Sequence, residues 1–181
     1  MIGRFRLALS AILLAAAPLA PAMAQTIATS ALKGHDNRAP IDVDADRIEV
    51  LDSENSAIFS GNVRVRQGPL SIEAQRIRVL YDRPARGDPV VRRMDAEGNV
   101  RLRSPTESAV SRFAVYDVEA RILTLVGGVQ LVQQKTKLDG NRLTINLESG
   151  RSTLDGRAAT GEGGGRVTGR FAVPEKAPAR P

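Results

Sequence analysis

The side chains of this 181-residue chain that could do chemistry are one histidine, two groups of carboxylates and two pairs of arginines. His35 lies among Gly34, Asn37 and Pro40, a polar stretch with no second histidine to complete a metal or nucleophile constellation, and it reads as a loop histidine without a special role. Asp42, Asp44 and Asp46 alternate, and Asp95 and Glu97 form a second pair. Paired carboxylates could serve acid–base catalysis, which needs a close, buried pair, or calcium, which prefers oxygens wrapped around it by a loop. A period-two row on a strand gives instead a solvated, edge-protecting face. Arg64 and Arg66, and Arg101 and Arg103, could meet lipid phosphates bidentately or pair across strands with Glu73, and the charge balance below favours pairing. Gly161-Glu162-Gly163-Gly164-Gly165-Arg166 lacks the Lys-Ser/Thr ending of a phosphate loop and reads as linker. With no cysteine there is no disulfide and no thiolate ligand. The expectation is a binding protein, not an enzyme, with no metal and no cofactor.

The net charge of +6 invites a nucleic-acid partner, but its distribution argues against one. Residues 40–156 hold 17 Lys+Arg and 17 Asp+Glu, a net of zero, so this body has no field to steer a polyanion. The excess sits at both ends, and base-stacking aromatics are scarce at 3%.

The ends differ from the body. Residues 1–24 have the plan of a secretory signal peptide: Arg4 and Arg6, a short apolar run from Leu7 to Leu19, then Ala22-Met23-Ala24 as the cleavage site, leaving Gln25 first. That run is short for a membrane span, which needs roughly 20 apolar residues. Residues 25–39 read as a flexible lead. Residues 157–181, rich in Gly, Pro and Arg, read as a mostly disordered basic tail with one weak edge strand between Arg166 and Val173.

The body must therefore position whatever binds, and it is a repeat. Ala45-Asp46-Arg47-Ile48-Glu49-Val50 aligns with Ala74-Gln75-Arg76-Ile77-Arg78-Val79, then with segments around Arg112 and Arg142. A second landmark follows each of the first three: Gly61-Asn62-Val63, Gly98-Asn99-Val100 and Gly127-Gly128-Val129. Arg76 to Arg142 and Gly61 to Gly127 are both 66 residues apart, so the two landmarks share one register. An insertion from Arg83 to Pro89 lengthens one unit. Apolar residues alternate throughout, the signature of half-buried strands. Turn signals recur at Asp52–Asn55, Gln67–Pro69, Ser104-Pro105, Asp139–Asn141 and Ser149-Gly150. About ten to twelve short antiparallel strands are predicted, with a glycine bending each long strand along one line to give two stacked sheets.

This pattern resembles the LptA/OstA-like family of periplasmic lipopolysaccharide-transport proteins over residues 41–156. The resemblance implies an all-β, folded-over antiparallel β-jellyroll, a V-shaped two-sheet sandwich of repeated strand pairs over residues 40–156. It implies a periplasmic location, lipopolysaccharide as ligand, and edge-to-edge strand pairing with LptC-like and LptD-like jellyroll domains or with itself. The interior that would shield acyl chains then comprises Ile48, Val50, Phe59, Val63, Val65, Ile72, Ile77, Val79, Val100, Leu102, Phe113, Val115, Leu125, Val129, Leu131, Leu143 and Ile145. The alternatives are an envelope adaptor with a dry core, or an LptC-like partner that keeps its N-terminal anchor.

Overall fold

The computed structural model describes residues 26–27, 32–33, 35–156 and 165–171. The expected signal peptide lies outside these, as do 157–164 and 172–181 of the tail. Eleven strands form one antiparallel meander: β1 (Thr26–Ile27), β2 (Ile41–Asp44), β3 (Arg47–Leu51), β4 (Ser56–Gln67), β5 (Leu70–Asp82), β6 (Val90–Arg103), β7 (Glu107–Asp117), β8 (Ile122–Gln133), β9 (Thr136–Asn146), β10 (Ser152–Asp155) and β11 (Thr168–Arg170). The path runs β1-β10-β9-β8-β7-β6-β5-β4-β2, with β3 also on β4 and β11 also on β9.

The six central strands are long, 11 to 14 residues, because each runs through a fold line that divides it between two layers. The device at that line is legible residue by residue. Ser60 pairs with Arg76 and Val63 with Ala74, so two residues of β4 oppose one of β5. Glu97 and Val100 of β6 bracket two residues against one of β7, and Val126 and Val129 of β8 do the same against β9. The extra residues are the glycine landmarks, and both positions of each pair are left-handed: Gly61 and Asn62 at φ 78° and 46°, Gly98 and Asn99 at 81° and 50°, Gly127 and Gly128 at 91° and 67°. Glycine and asparagine are the residues that adopt this conformation at least cost. One extra residue per strand at one level bends the sheet there.

Layer A holds β2, β11 and the segments on the Val63, Val100 and Val129 side of the line. Layer B holds β3, β10 and the other halves. At both edges one long strand takes two short partners: β4 pairs β2 through Arg64–Gln67 and β3 through Ser56–Ser60, while β9 pairs β11 through Lys137–Asp139 and β10 through Arg142–Ile145.

The bulge has a consequence for side-chain parity. On β4, β6 and β8 the apolar alternation passes unbroken through the glycine pair, as in Leu123, Leu125, Val129 and Leu131, all 3% exposed or less. On β5 and β7 two successive residues face outward instead, Gln75-Arg76 and Arg112-Phe113, before burial resumes at Ile77 and Ala114. The partner of Glu97 is Phe113, just as the partner of Ser60 is Arg76 and that of Val126 is Arg142. The repeat therefore aligns Arg76, Phe113 and Arg142, spaced 37 and 29, matching Gly61, Gly98 and Gly127. The alignment on Arg112 was one residue out. Phe113 and Val115, expected inside, point outward, with Phe113 47% exposed, and Ala114 and Tyr116 take the interior. A second correction concerns Asp139–Asn141. It is not a turn but the crossing point of β9, where Gly140 makes room for Leu154, whose side chain a Cβ would meet at 2.7 Å.

Candidate functional site

Inner-face side chains of both layers meet in one buried cluster. Layer A contributes Val63, Val65, Leu70, Ile72, Val100, Leu102, Val129, Leu131 and Leu138, and layer B Ile77, Val79, Met94, Tyr116, Leu123, Leu125, Leu143, Ile145 and Leu154. Phe59 is partly buried against it. Of the residues expected to line an interior, Val63, Val65, Ile72, Ile77, Val79, Val100, Leu102, Leu125, Val129, Leu131, Leu143 and Ile145 are buried there.

Ile48 and Val50 differ in an informative way. They pair with Phe59 and Ala57, and directly opposed residues of an antiparallel pair share a face. Both therefore lie on the inner face of layer B, yet each is 56% exposed. Among the described residues nothing covers the apolar face at this edge. The opposite edge is closed: Leu154 of β10 and Leu138 of β9 are buried, and a Cβ at Gly169 of β11 would collide with Leu138. The trough is open at its β2/β3 end and capped at its β10/β11 end.

Most of the candidate charged residues sit outside and hold a partner. Glu73 accepts from Arg64 at 3.1 Å and Arg103 at 2.9 Å, Asp44 faces Arg66 at 3.5 Å, and Asp95 and Glu97 pair with Arg93 and Arg76 at 2.7 and 3.5 Å. Asp46 accepts from Asn62 Nδ2 at 2.9 Å, and its backbone N–H donates to Gly61 O at 3.0 Å. Arg64, Arg66 and Arg103 are thus cross-strand partners, and these contacts are surface ion pairs of small individual value. Among the described residues no group of three His, Cys, Asp or Glu is placed to hold a metal, and no helix is long and apolar enough to cross a membrane.

The free margins of the two layers, where the hairpin turns lie opposite the fold line, carry polar residues that the pattern did not single out. Gln67, 1% exposed, accepts from the Tyr116 hydroxyl at 2.9 Å and from His35 Nε2 at 3.0 Å, and donates to Asn37 O and Ala39 O, each at 3.0 Å. Asn37 Nδ2 donates to Val118 O at 3.1 Å. Burial pushes the Tyr116 hydroxyl up to about 12, against a smaller lowering by Arg121. Residues 35–39, expected to be flexible, are pinned here, and His35 has a partner after all. The one sequence signal was Gln67 standing on the apolar parity of β4 after Val63 and Val65. Beside this contact lies a cavity of about 720 Å³ lined by Ile41, Val90, Val91 and Val118 together with Asn37 and Gln67.

Residues 42–151 match the family model of the LptA/(LptD N-terminal domain) LPS transport protein. The chain belongs to this lipopolysaccharide-transport family. As a member it is a transport and binding protein, not an enzyme. It is 29% identical over 152 residues to the uncharacterized protein R00383 of Rhizobium meliloti (strain 1021), covering 81% of this chain and 80% of the relative. The fold is that of LptH, the LptA-homologous periplasmic component of the lipopolysaccharide transport device from Pseudomonas aeruginosa. That match has a TM-score of 0.65 and 17% identity, over 77% of this chain and 99% of LptH.

Proposed function

We propose that this family member is a periplasmic carrier that shields the acyl chains of lipopolysaccharide against the inner face of its trough, and passes them on through edge-to-edge pairing with like jellyroll domains. The observation that carries this reading is the uncovered inner face at Ile48 and Val50, an apolar surface that continues the core and ends in solvent. Each CH₂ laid there gains about 0.8 kcal/mol. Similar side chains along the trough hold a lipid with similar strength at each step, so it can slide, and directional movement draws its energy from elsewhere. Among the described residues the outer edge of β3, beside that face, pairs with no strand, and there a second jellyroll domain of the LptC or LptD type, or another copy, would add its own.

The test places a photo-reactive amino acid at Ile48 or Val50, with Arg47 and Glu49 on the opposite face as controls. Lipopolysaccharide is expected to crosslink at 48 and 50 and not at 47 or 49. Equal crosslinking on both faces would sink the reading. A dry-core envelope adaptor is the second reading, and it draws support from the packing, since Val100, Leu123, Leu125 and Leu143 are wholly inaccessible. Mass spectrometry of the natively purified protein separates the two by the presence of bound lipid.

A further inference from the structure

An interior this well packed admits a chain of CH₂ groups only if the layers part, so the contacts that tie their free margins together govern access. Those contacts run through one short segment. Residues 35–41 leave layer A at Ile41, the first residue of β2, whose Cα partner is Gln67. The segment then crosses to layer B, where the Asn37 amide holds Val118 O at 3.1 Å. Gln67 makes four hydrogen bonds, and three go to this segment: its Nε2 donates to the carbonyls of Asn37 and Ala39, and its Oε1 accepts from His35. The fourth comes from Tyr116 of layer B. Leu32, 2% exposed, sets the segment's near end in the core, and the His35 N–H donates to Leu32 O at 3.0 Å.

We propose that residues 35–41 are a displaceable strap, which holds the two layers shut through Gln67 and which the carbonyl of an ester- or amide-linked acyl chain replaces on loading. This rests on the lipid-carrier reading above. The chemistry of the latch supports exchange. Peptide carbonyls accepting from a glutamine amide are the same acceptors that an acylated ligand brings. A ligand carbonyl at Gln67 Nε2 keeps the buried donor satisfied, whereas simple loss of the strap leaves it without a partner in an apolar setting. A latch of interlocking aliphatic side chains would offer no such substitution. The strap is also incompletely held, because His35 Nδ1 is buried without a hydrogen-bond partner while Nε2 serves Gln67. The open pocket of about 720 Å³ beside it is within the range of small-molecule sites; it sets Ile41, Val90, Val91 and Val118 beside the charged Arg38, Asp82, Arg92 and Glu119, so an amphipathic acylated ligand finds both an apolar wall and polar groups next to the strap before it moves.

The chain has no cysteine, so in the double variant Asn37→Cys, Val118→Cys any intramolecular disulfide joins the strap to the opposite margin, and thiol titration of the oxidised monomer establishes that it has formed before loading is measured. Loading of the full chain with purified lipopolysaccharide, followed by photo-crosslinking from position 50, is expected to be at least tenfold slower in the oxidised form. Reductant should restore it, and the parent chain should ignore oxidant. Equal loading in the oxidised and reduced forms overturns the strap and leaves the carrier reading standing. No loading in the parent chain or in either form of the variant overturns both. In the unmodified chain, the backbone amides of residues 35–41 should exchange hydrogen faster once lipopolysaccharide is added. Slower exchange at those amides would overturn the proposal independently, and neither readout moves if the segment is merely structural.

Discussion

At the residue scale the fold depends on a few backbone conformations that only small or amide residues adopt cheaply. Gly98 sits at φ 81°, and a Cβ there would come within 2.9 Å of Gln75 Cβ, an atom that rotation of the side chain cannot move away. Gly128 is at φ 67° with nothing within 4 Å. Gly128→Ala is therefore expected to lose about 1–2 kcal/mol for the left-handed conformation alone, and Gly98→Ala clearly more, read as midpoint shifts in urea unfolding. These glycines were legible because they recur at fixed spacing with no side chain on an apolar parity. Phe113 was not, because an arginine stands one residue before it and only the strand pairing with Glu97 shows which of the two is the repeat's outward position. Tyr116 supplies a pH signature. Its hydroxyl ionises near 10 when unfolded and, raised by burial, near 12 when folded, so the folded state keeps the proton longer. Stability is full below pH 10 and falls between 10 and 12, by an amount on the order of 2 kcal/mol after allowance for solvent near the margin. Tyr116→Phe should flatten that part of the thermal-stability profile. An identical alkaline slope in both proteins would rule out the hydroxyl as its source.

At the element scale the sequence and the structure agree on strand pairs and part company on their length. Alternation of apolar residues identified the segments, but a bulge that conserves parity on β4, β6 and β8 and breaks it on β5 and β7 makes one long strand look like two short ones. Asp139-Gly140-Asn141 carries every local mark of a turn, and the packing of Leu154 against Gly140 keeps it extended. Tertiary context decided that point, and no local rule reports it. The edge strands show the same dependence. β3 and β10 are both short, both pair with half of a long strand, and each turns an apolar side chain to the inner face, yet Val50 is 56% exposed and Leu154 only 1%. Leu154→Ala should lower stability by about 2–5 kcal/mol, the usual range for a buried leucine, while Val50→Ala should stay within about 0.5 kcal/mol. Chemical denaturation of the two variants checks this. Comparable losses would mean that the β3 end is covered in solution, for instance by a second copy.

At the scale of the whole molecule the distribution of charge sets what kind of force can hold a ligand. Residues 40–156 sum to zero, Arg64, Arg66, Arg76, Arg93 and Arg103 are paired with Glu73, Asp44, Asp95 and Glu97, and the uncovered surface at the β2/β3 end is aliphatic. Lipopolysaccharide carries both phosphates and acyl chains, so either the arginine rows or the inner face could dominate its binding, and ionic strength separates them. Raising salt from about 0.15 to 1 M shortens the screening length from roughly 8 to 3 Å, which weakens exposed ion contacts and leaves apolar burial intact or stronger. Binding through the inner face should change by less than about twofold over that range and show a negative heat-capacity change in titration calorimetry, the mark of apolar surface leaving water. Binding through the arginine rows would weaken by well over tenfold, with little heat-capacity change. The paired geometry of those arginines favours the first outcome, because a phosphate would have to displace a carboxylate already in place before it gained anything from the guanidinium.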